Sequence, residues 1–231
     1  MKKYNVGTWF GILMLVLSTI NTEARPYQRP KTIQPSDIYD RWHQQILTTV
    51  FWVGEPSVGQ GWSANKDSAW DMRWVENYGG TDHPTRRNGY YPATFVPRQN
   101  PFYVALPFND LLYCSTRENS IVSRFLNFWR ETDNRPKVTK SVCKNRWIAI
   151  SYKGKTCFAQ WQDVGPVHRD DYAYIFGFQE PKSHAQGMAG LDVSPAVRDY
   201  LGLCGRSRTN WRFAQVGELP EGPWSNIVTA N

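Results

Sequence analysis

Metal-binding residues and long apolar runs are scarce in this chain of 231 residues. It contains four cysteines and four histidines, and neither type occurs in the close pairs that bind zinc in structural sites. After residue 24, no apolar run is long enough to cross a bilayer. We therefore expect a mature protein that has no metal ion, no cofactor and no stable insertion in a membrane.

The first 24 residues have the pattern of a secretory signal peptide. Two lysines precede an apolar run between Phe10 and Leu17, and small residues follow that run before Arg25. An uncleaved N-terminal anchor is the alternative, but the apolar run is short for a membrane span. We predict a signal peptide at residues 1–24, a flexible leader at 25–35, and a protein that is secreted or periplasmic.

Basic residues outnumber acidic residues. The chain has 27 Lys and Arg residues against 20 Asp and Glu residues, which gives a net charge of +7 at neutral pH. Such a charge in an exported protein suits anionic wall polymers or membrane surfaces. We do not expect nucleic acid as a partner, because the basic residues are scattered along an exported chain.

The cysteine count predicts disulfides. An even number of cysteines in an oxidising compartment is typical of paired thiols, and four cysteines permit three pairings that the sequence does not distinguish. We expect two bridges, with the pairing open. The cysteines are Cys114, Cys143, Cys157 and Cys204.

Two aspartates lie where predicted regular elements end. Asp163 follows a strand predicted at residues 156–161 and precedes the turn signal Gly165-Pro166. Asp192 precedes Ser194-Pro195, which predicts the N-cap and first position of a helix. Because Ser194 is better placed to cap that helix, Asp192 is available for another role. The alternative is that both aspartates only stabilise turns.

The two segments around these aspartates read QDVGP and GLDVSPAVRDYLGL. Together they resemble the core of double-psi β-barrel proteins of the rare-lipoprotein-A type, and the second segment is also similar to expansins and family-45 endoglucanases. Asp163, Gly165 and Pro166 match the first motif of that core. Asp192, Ser194 and the helix end at Leu201-Gly202 match the second. Gln162, Val164 and Val193 stand where the family has Asn, Arg and Leu.

The resemblance covers residues 146–213 and extends back to about Trp70. It implies a mainly β fold whose core is a six-stranded double-psi β-barrel. The residues that precede this core predict an N-terminal helical and aromatic extension, so that we expect a mainly β fold with added helices. We expect one domain at 36–231, with the barrel core at about 69–216, and a monomer.

Hydrophobic periodicity places further elements along the chain. We predict an amphipathic helix at residues 36–49, a first barrel strand at 69–75 and a central strand at 102–106. A helix is expected from a capping box at 115–118 to about residue 131. Strands at 146–152 and 155–161 form a predicted hairpin around Lys153-Gly154, and a final strand begins at Thr209, where Trp211 and Phe213 are expected to close the barrel.

The resemblance implies a lytic transglycosylase that cleaves peptidoglycan. In that reaction one acid/base group suffices, since a hydroxyl of the sugar itself attacks and closes an anhydro ring. By match, Asp192 is the candidate acid/base and Asp163 supports charge or positions water. His168 lies five residues after Asp163 and is a further candidate, although a solvated loop histidine is the alternative. Asp71 is a candidate because endoglucanases of similar fold take a second carboxylate from this region.

Aromatic residues are candidates for binding a sugar ring, whose apolar face packs on a flat aromatic ring. Their alternative role is to fill the core. The four candidates are Trp70, Trp74, Tyr78 and Trp161.

Three classes of function remain open. A second carboxylate that faces Asp192 across a groove would favour an enzyme that cleaves peptidoglycan or another cell-wall polysaccharide. An exposed row of aromatic rings without paired carboxylates would favour a non-catalytic polysaccharide-binding or wall-loosening protein. A groove filled by the N-terminal segment or by residues 167–190 would favour a partner-binding or inhibitory module.

Overall fold

Six strands form a closed barrel in the computed structural model of this protein. The structure describes residues 34–56, 65–113, 120–133 and 140–230. These residues belong to one compact unit. The predicted signal peptide, nearly all of the leader and the capping box at 115–118 lie outside the described residues.

The strands are short and their order mixes parallel and antiparallel pairs. The described residues form eight strands: β1 (His43–Val50), β2 (Arg87–Asn88), β3 (Tyr91–Pro92), β4 (Tyr103–Leu106), β5 (Trp147–Tyr152), β6 (Lys155–Val164), β7 (Leu191–Val193) and β8 (Ser207–Ala214). The barrel order is β1-β7-β4-β6-β5-β8, and β8 closes it by pairing with β1. The β1/β7 and β4/β6 pairs are parallel and the others are antiparallel. β2 and β3 form a separate two-stranded sheet.

Short helices connect the strands. The α-helices are α1 (Trp74–Tyr78), α2 (Asp110–Tyr113), α3 (Ser120–Thr132), α4 (Tyr172–Ile175) and α5 (Pro195–Leu201). The 3-10 helices are Pro35–Tyr39, Lys182–Gln186, Val216–Glu218 and Pro223–Ser225. Within the described ranges, no helix has both the length and the apolar character that crossing a membrane requires.

The prediction of a mainly β fold with a closed six-stranded barrel and added helices is confirmed. The central strand appears as β4, the hairpin as β5 and β6, and the helix after Ser194 as α5. These elements were predictable because their signals are local: a turn at Lys153-Gly154, and a serine-proline helix start. Trp211 and Phe213 lie buried in β8, the strand that closes the barrel.

The helix predicted at residues 36–49 is wrong. The chain forms a 3-10 helix at Pro35–Tyr39 and then enters β1. Ile46 and Thr48 are both buried in β1, which is the two-residue period of a strand rather than the period of a helix. The apolar spacing in this stretch fits either period, and pairing with β7 and β8 decides the outcome.

The first barrel strand is also not at residues 69–75. That segment holds a single bridge between Ser68 and Asp71, followed by α1 from Trp74. β1 takes the place of the first strand, so the barrel runs from His43 to Ala214 rather than from residue 69 to 216.

The described residues contain no disulfide. Cys143, Cys157 and Cys204 have free thiols, and the first two are buried while the third is exposed. Cys114 lies outside the described residues. The two predicted bridges are therefore absent from this structure as far as it is described.

Ser194 connects α5 to the barrel. Its hydroxyl oxygen accepts hydrogen bonds from the Val197 amide at the helix start and from the Tyr103 amide of β4, each at 3.3 Å. Its own amide donates to the Tyr103 carbonyl at 2.9 Å. The side chain is fully buried, so neither amide has water as a substitute partner.

We expect Ser194→Ala to lower the free energy of unfolding by about 1–2 kcal/mol, because it removes an N-cap and leaves two buried amides without this acceptor. Urea denaturation of the mature protein measures the change. Ser36→Ala is the control, since Ser36 is exposed and its hydroxyl bonds no described residue, and it should change stability by less than about 0.5 kcal/mol. Equal effects of the two substitutions would contradict the cap.

Candidate functional site

Four neighbouring strands bring one row of residues together on the barrel wall. Thr49 of β1 is paired with Asp192 of β7, Asp192 with Ala105 of β4, and Ala105 with Asp163 of β6. Paired residues on adjacent strands project to the same side of a sheet. The two aspartates that the sequence singled out therefore lie on one face, with a single alanine between them.

This row faces away from the barrel interior. In β4, Val104 and Leu106 belong to the large core that the barrel encloses, whereas Tyr103 and Ala105 belong to a smaller cluster that includes Trp74 of α1. Asp192 is likewise flanked by two fully buried residues of the large core, at 191 and 193. The two-residue period of the strands thus sends the aspartates to the outer wall.

A β-bulge in β6 directs Asp163 to this outer face. Val104 is paired with Trp161, but the next residue of β4, Ala105, is paired with Asp163, so Gln162 is the extra residue. Without the bulge Gln162 would oppose Ala105 and Asp163 would point into the core, because a one-residue shift reverses the face of every side chain. Bulges are known to re-aim side chains next to active sites.

A cavity of about 860 Å³ opens over this row of residues. Asp163, Asp192 and Ala105 line it, together with Glu55 from the loop after β1. Neighbouring strands are about 4.8 Å apart, so two strand spacings separate the backbone positions of the aspartates by about 10 Å. Because the residue between them is an alanine, that interval is free for a ligand.

Residues 167–190 form one wall of the cavity. They include α4 and the 3-10 helix Lys182–Gln186. The cavity is lined by the start of this segment, at 167–169, and by its end, at 186–189. The segment therefore borders the groove and leaves it open.

Asp163 is held by backbone amides. Its Oδ1 accepts hydrogen bonds from the amides of Ala69 and Val164, both at 2.8 Å. Burial raises the pKa of Asp163 from 3.8 to about 7; the two amides oppose that rise, the charge of Asp192 adds to it, and the charge of Arg169 lowers it. Its Oδ2 makes no hydrogen bond with a described residue.

Asp192 is held by Thr49. The Thr49 hydroxyl donates a short hydrogen bond to Asp192 Oδ1. Burial raises the pKa of Asp192 from 3.8 to about 6, and the bond from Thr49 limits the rise because it favours the ionised carboxylate. Asp192 therefore exchanges its proton in the range where a general acid or base works best at neutral pH.

Glu55 is a third carboxyl group that the sequence did not point to. Burial raises its pKa from 4.5 to about 7, a bond from the Trp52 backbone opposes the rise, and the charge of Asp192 adds to it. Asn65 fixes the side chain by donating from Nδ2 to Glu55 Oε2 at 2.9 Å. No local signal in the sequence points to this residue, because the position of Glu55 at the cavity depends on the parallel pairing of β1 with β7.

Tyr103 of β4 anchors the loop that carries Glu55. The Val53 amide donates to the Tyr103 hydroxyl at 3.0 Å, and that hydroxyl donates to Asp82 Oδ2 at 2.9 Å. The Asp82 amide in turn donates a hydrogen bond to the Val53 carbonyl at 2.9 Å. Arg87 neutralises the buried Asp82. This network fixes one wall of the cavity to the same strand that forms its floor.

His168 lines the same cavity as Asp163. Its Nε2 is buried and has no hydrogen-bond partner within the described part of the chain. The preceding residue, Val167, has a φ of 61°, a left-handed conformation that β-branched residues rarely adopt. The backbone at this edge of the cavity is therefore strained.

Asp71 does not line the cavity. Its Oδ1 accepts from the Arg73 amide at 3.1 Å and from Asn77 Nδ2 at 2.7 Å, and its Oδ2 accepts from Gln99 Nε2 at 3.2 Å. These bonds organise the start of α1. The carboxylate contributed from the N-terminal part of the barrel is Glu55 instead.

The aromatic candidates do not form a platform for sugars. Trp74, Tyr78 and Trp161 are at most 1% exposed, so no face of these rings is open to a ligand. Trp70 is partly buried and packs edge-on against Trp161 at 5.5 Å between ring centres. The role of lining a groove is wrong for the three buried rings, which fill the core.

Among the described residues, no group of three or more His, Cys, Asp or Glu side chains is arranged to hold a metal ion. Comparison with known proteins adds no identification. No protein-family model matches the chain, and no curated protein matches it significantly.

We expect Thr49→Val to raise the pKa of Asp192 from about 6 to about 7, since one hydrogen bond to a charged group is lost. A carbon-13 NMR titration of the aspartate carboxyl groups measures it. Thr156→Val is the control, because Thr156 is exposed on β6 and its hydroxyl bonds no described residue. An unchanged Asp192 titration in the Thr49 variant would contradict the contact.

The raised pKa of Asp163 predicts a pH-dependent stability. The folded state keeps a proton that the unfolded state loses near pH 3.8, so this stabilisation is complete below that pH and lost as the pH rises through about 7. Asp163→Asn cannot ionise. Between pH 4 and pH 8, the free energy of unfolding of the wild type should therefore fall by roughly 1–3 kcal/mol relative to that of this variant.

Urea denaturation at both pH values measures the difference. Asp67→Asn is the control, because Asp67 is exposed and forms no hydrogen bond with a described residue. A stability difference for Asp163→Asn that does not change with pH would show that the carboxyl group is not shifted upward.

Proposed function

We propose that this chain is an exported double-psi β-barrel protein that cleaves peptidoglycan as a lytic transglycosylase, with Asp192 as its acid/base. The main observation in support is that Asp192 lies on the wall of an open cavity that is also lined by Asp163 and Glu55. The two aspartates come from the two segments that resemble the rare-lipoprotein-A type. The mixed six-stranded barrel, with its two parallel pairs, is compatible with the double-psi topology.

Asp192 has the properties that the proposed reaction needs. A carboxyl group with a pKa near 6 is protonated often enough to donate and ionised often enough to accept at neutral pH. In the first step, the proton of Asp192 moves to the glycosidic oxygen as the bond to the anomeric carbon breaks. In the second step, the Asp192 carboxylate takes the proton of the attacking sugar hydroxyl as the anhydro ring closes.

Asp163 positions a hydroxyl of the sugar or a water beside Asp192, since burial raises its pKa to about 7 and it therefore carries a proton for much of the time at the pH where Asp192 donates. Its Oδ1 is fixed by two backbone amides, whereas its Oδ2 has no described hydrogen-bond partner. The carboxyl group is therefore oriented while its second oxygen stays available for the ligand. A group held in place before the ligand binds lowers the barrier, because no rearrangement is needed when the transition state forms.

Glu55 favours a second candidate within the same class, a hydrolase. Hydrolysis uses one carboxylic acid to protonate the leaving oxygen and one carboxylate to activate water or attack directly. Asp192, Asp163 and Glu55 all have raised pKa values, so the cavity supplies more than one carboxyl group that can serve as acid or as base near neutral pH.

A non-catalytic polysaccharide-binding or wall-loosening protein is less well supported by this cavity. Phe51 is its single aromatic residue among the described lining residues, and the Phe51 ring is itself buried. Paired carboxyl groups, rather than a row of exposed rings, distinguish the site. A partner-binding or inhibitory module is not favoured by residues 167–190, which border the groove without filling it.

Mass spectrometry of the soluble products of purified peptidoglycan tests the proposal. We expect the mature wild type to release anhydro-ended fragments, at a rate that falls as the pH rises above about 6, since Asp192 must enter the reaction protonated. Asp192→Asn should reduce release at least 100-fold, the usual contribution of a general acid/base. Asp67→Asn should release fragments at the wild-type rate.

The products separate the alternatives. Reducing-end fragments that also depend on Asp192 would identify a hydrolase. If the wild type and Asp192→Asn both failed to release fragments but both sedimented with the polymer, cleavage would be excluded and the protein would be a polysaccharide-binding protein.

A further inference from the structure

Two arginines lie at the edge of the same cavity. Arg169 follows the turn after β6, and Arg206 directly precedes β8. Both side chains are exposed and both line the cavity. The charge of Arg169 acts on Asp163, whereas Arg206 is not among the groups that shift the pKa of any of the three carboxyl groups. The cavity thus has an acidic floor and a basic rim.

Neither arginine forms an ion pair with a described residue. Other arginines of this protein contact carboxylates: Arg87 contacts Asp82, Arg146 contacts Asp133, Arg198 contacts Asp199 and Arg212 contacts Glu218. Arg206 instead donates a hydrogen bond to the backbone carbonyl of Gly187. Its position is therefore fixed by the cavity wall while its charge is not neutralised by a described carboxylate.

A guanidinium fixed in this way is a receptor for an anion. It has five N–H donors in a planar fork, and that fork matches the two oxygens of a carboxylate. The acidic floor repels an anion, so an anionic ligand group has to sit at the rim. A ligand with one neutral part and one acidic part would then have a single orientation.

We infer that the cavity takes a glycan that carries carboxylates, and that Arg206, assisted by Arg169, holds a carboxylate at the rim while the neutral sugar linkage lies over Asp192 and Asp163. The inference rests on the proposed function, since it assigns the specificity of the same site. Arg206 and Arg169 act here as specificity-determining residues. Peptidoglycan meets this requirement, because its stem peptides carry free carboxylates and its lactyl groups carry them wherever the peptide has been removed.

Binding to two forms of peptidoglycan tests the inference. One form has its native carboxylates, and in the other a carbodiimide and ammonia have converted them to neutral amides. All proteins carry Asp192→Asn so that the polymer stays intact. We expect the protein without further changes to bind the native form about tenfold more tightly than the amidated form, the factor for one charge-assisted hydrogen bond.

Arg206→Gln should remove most of that preference. Arg206→Lys should retain part of it, because the charge remains and the planar fork is lost. Arg208→Gln is the matched control: Arg208 is also exposed and also donates to a backbone carbonyl, that of Gln45 at 2.8 Å, but it does not line the cavity. This control removes the same charge and should keep the preference.

Several outcomes would overturn the inference. They are equal binding of the two polymers, equal losses for Arg206→Gln and Arg208→Gln, or no binding by the parent protein. Arg206-dependent binding of an amidated polymer that retains phosphodiesters would assign the site to phosphate instead. Because the readout is binding, a failure of cleavage in the product assay leaves this comparison intact, and the two proposals fail separately.

Discussion

β4 is only four residues long, yet it is hydrogen-bonded between β6 and β7, and its register against both determines where the acidic residues of this protein lie. On its inner side it supplies Val104 and Leu106 to the core. On its outer side Ala105 separates two aspartates that come from different strands. The bulge at Gln162 satisfies both requirements, since Trp161 before it faces the core and Asp163 after it faces the cavity.

Three carboxyl groups at one cavity oppose folding, because each loses hydration and each feels the charge of its neighbours. The barrel tolerates them for two reasons. Fixed donors, such as the two amides at Asp163 and the hydroxyl of Thr49, stabilise their charged forms. The rest of the fold is packed with buried aromatic rings, which bury much apolar area per residue. The buried aromatic core thus offsets the free energy that the carboxyl groups of the cavity cost on folding.

Much of the fold could be predicted where the signal was local. The turn at Lys153-Gly154 and the serine-proline start of α5 each act within a few residues, and both predictions were confirmed. β1 could not be recognised, because its apolar residues fit a helix as well as a strand until β7 and β8 pair with it. Glu55 was missed for the same reason, since its position at the cavity depends on the pairing of β1 with β7. Nor could the sequence reveal that Trp74 and Trp161 are buried, since burial depends on which distant elements cover a ring.

The row on the barrel wall joins residues that are far apart along the chain: the hydrogen bond between Thr49 and Asp192 spans 143 positions. Contacts between residues so far apart in the sequence form only after distant segments of the chain have been brought together. No fragment of the chain can then assemble the site alone. For the exported enzyme that we propose, a chain that is still crossing the membrane unfolded would be inactive, and activity would begin only where the barrel closes.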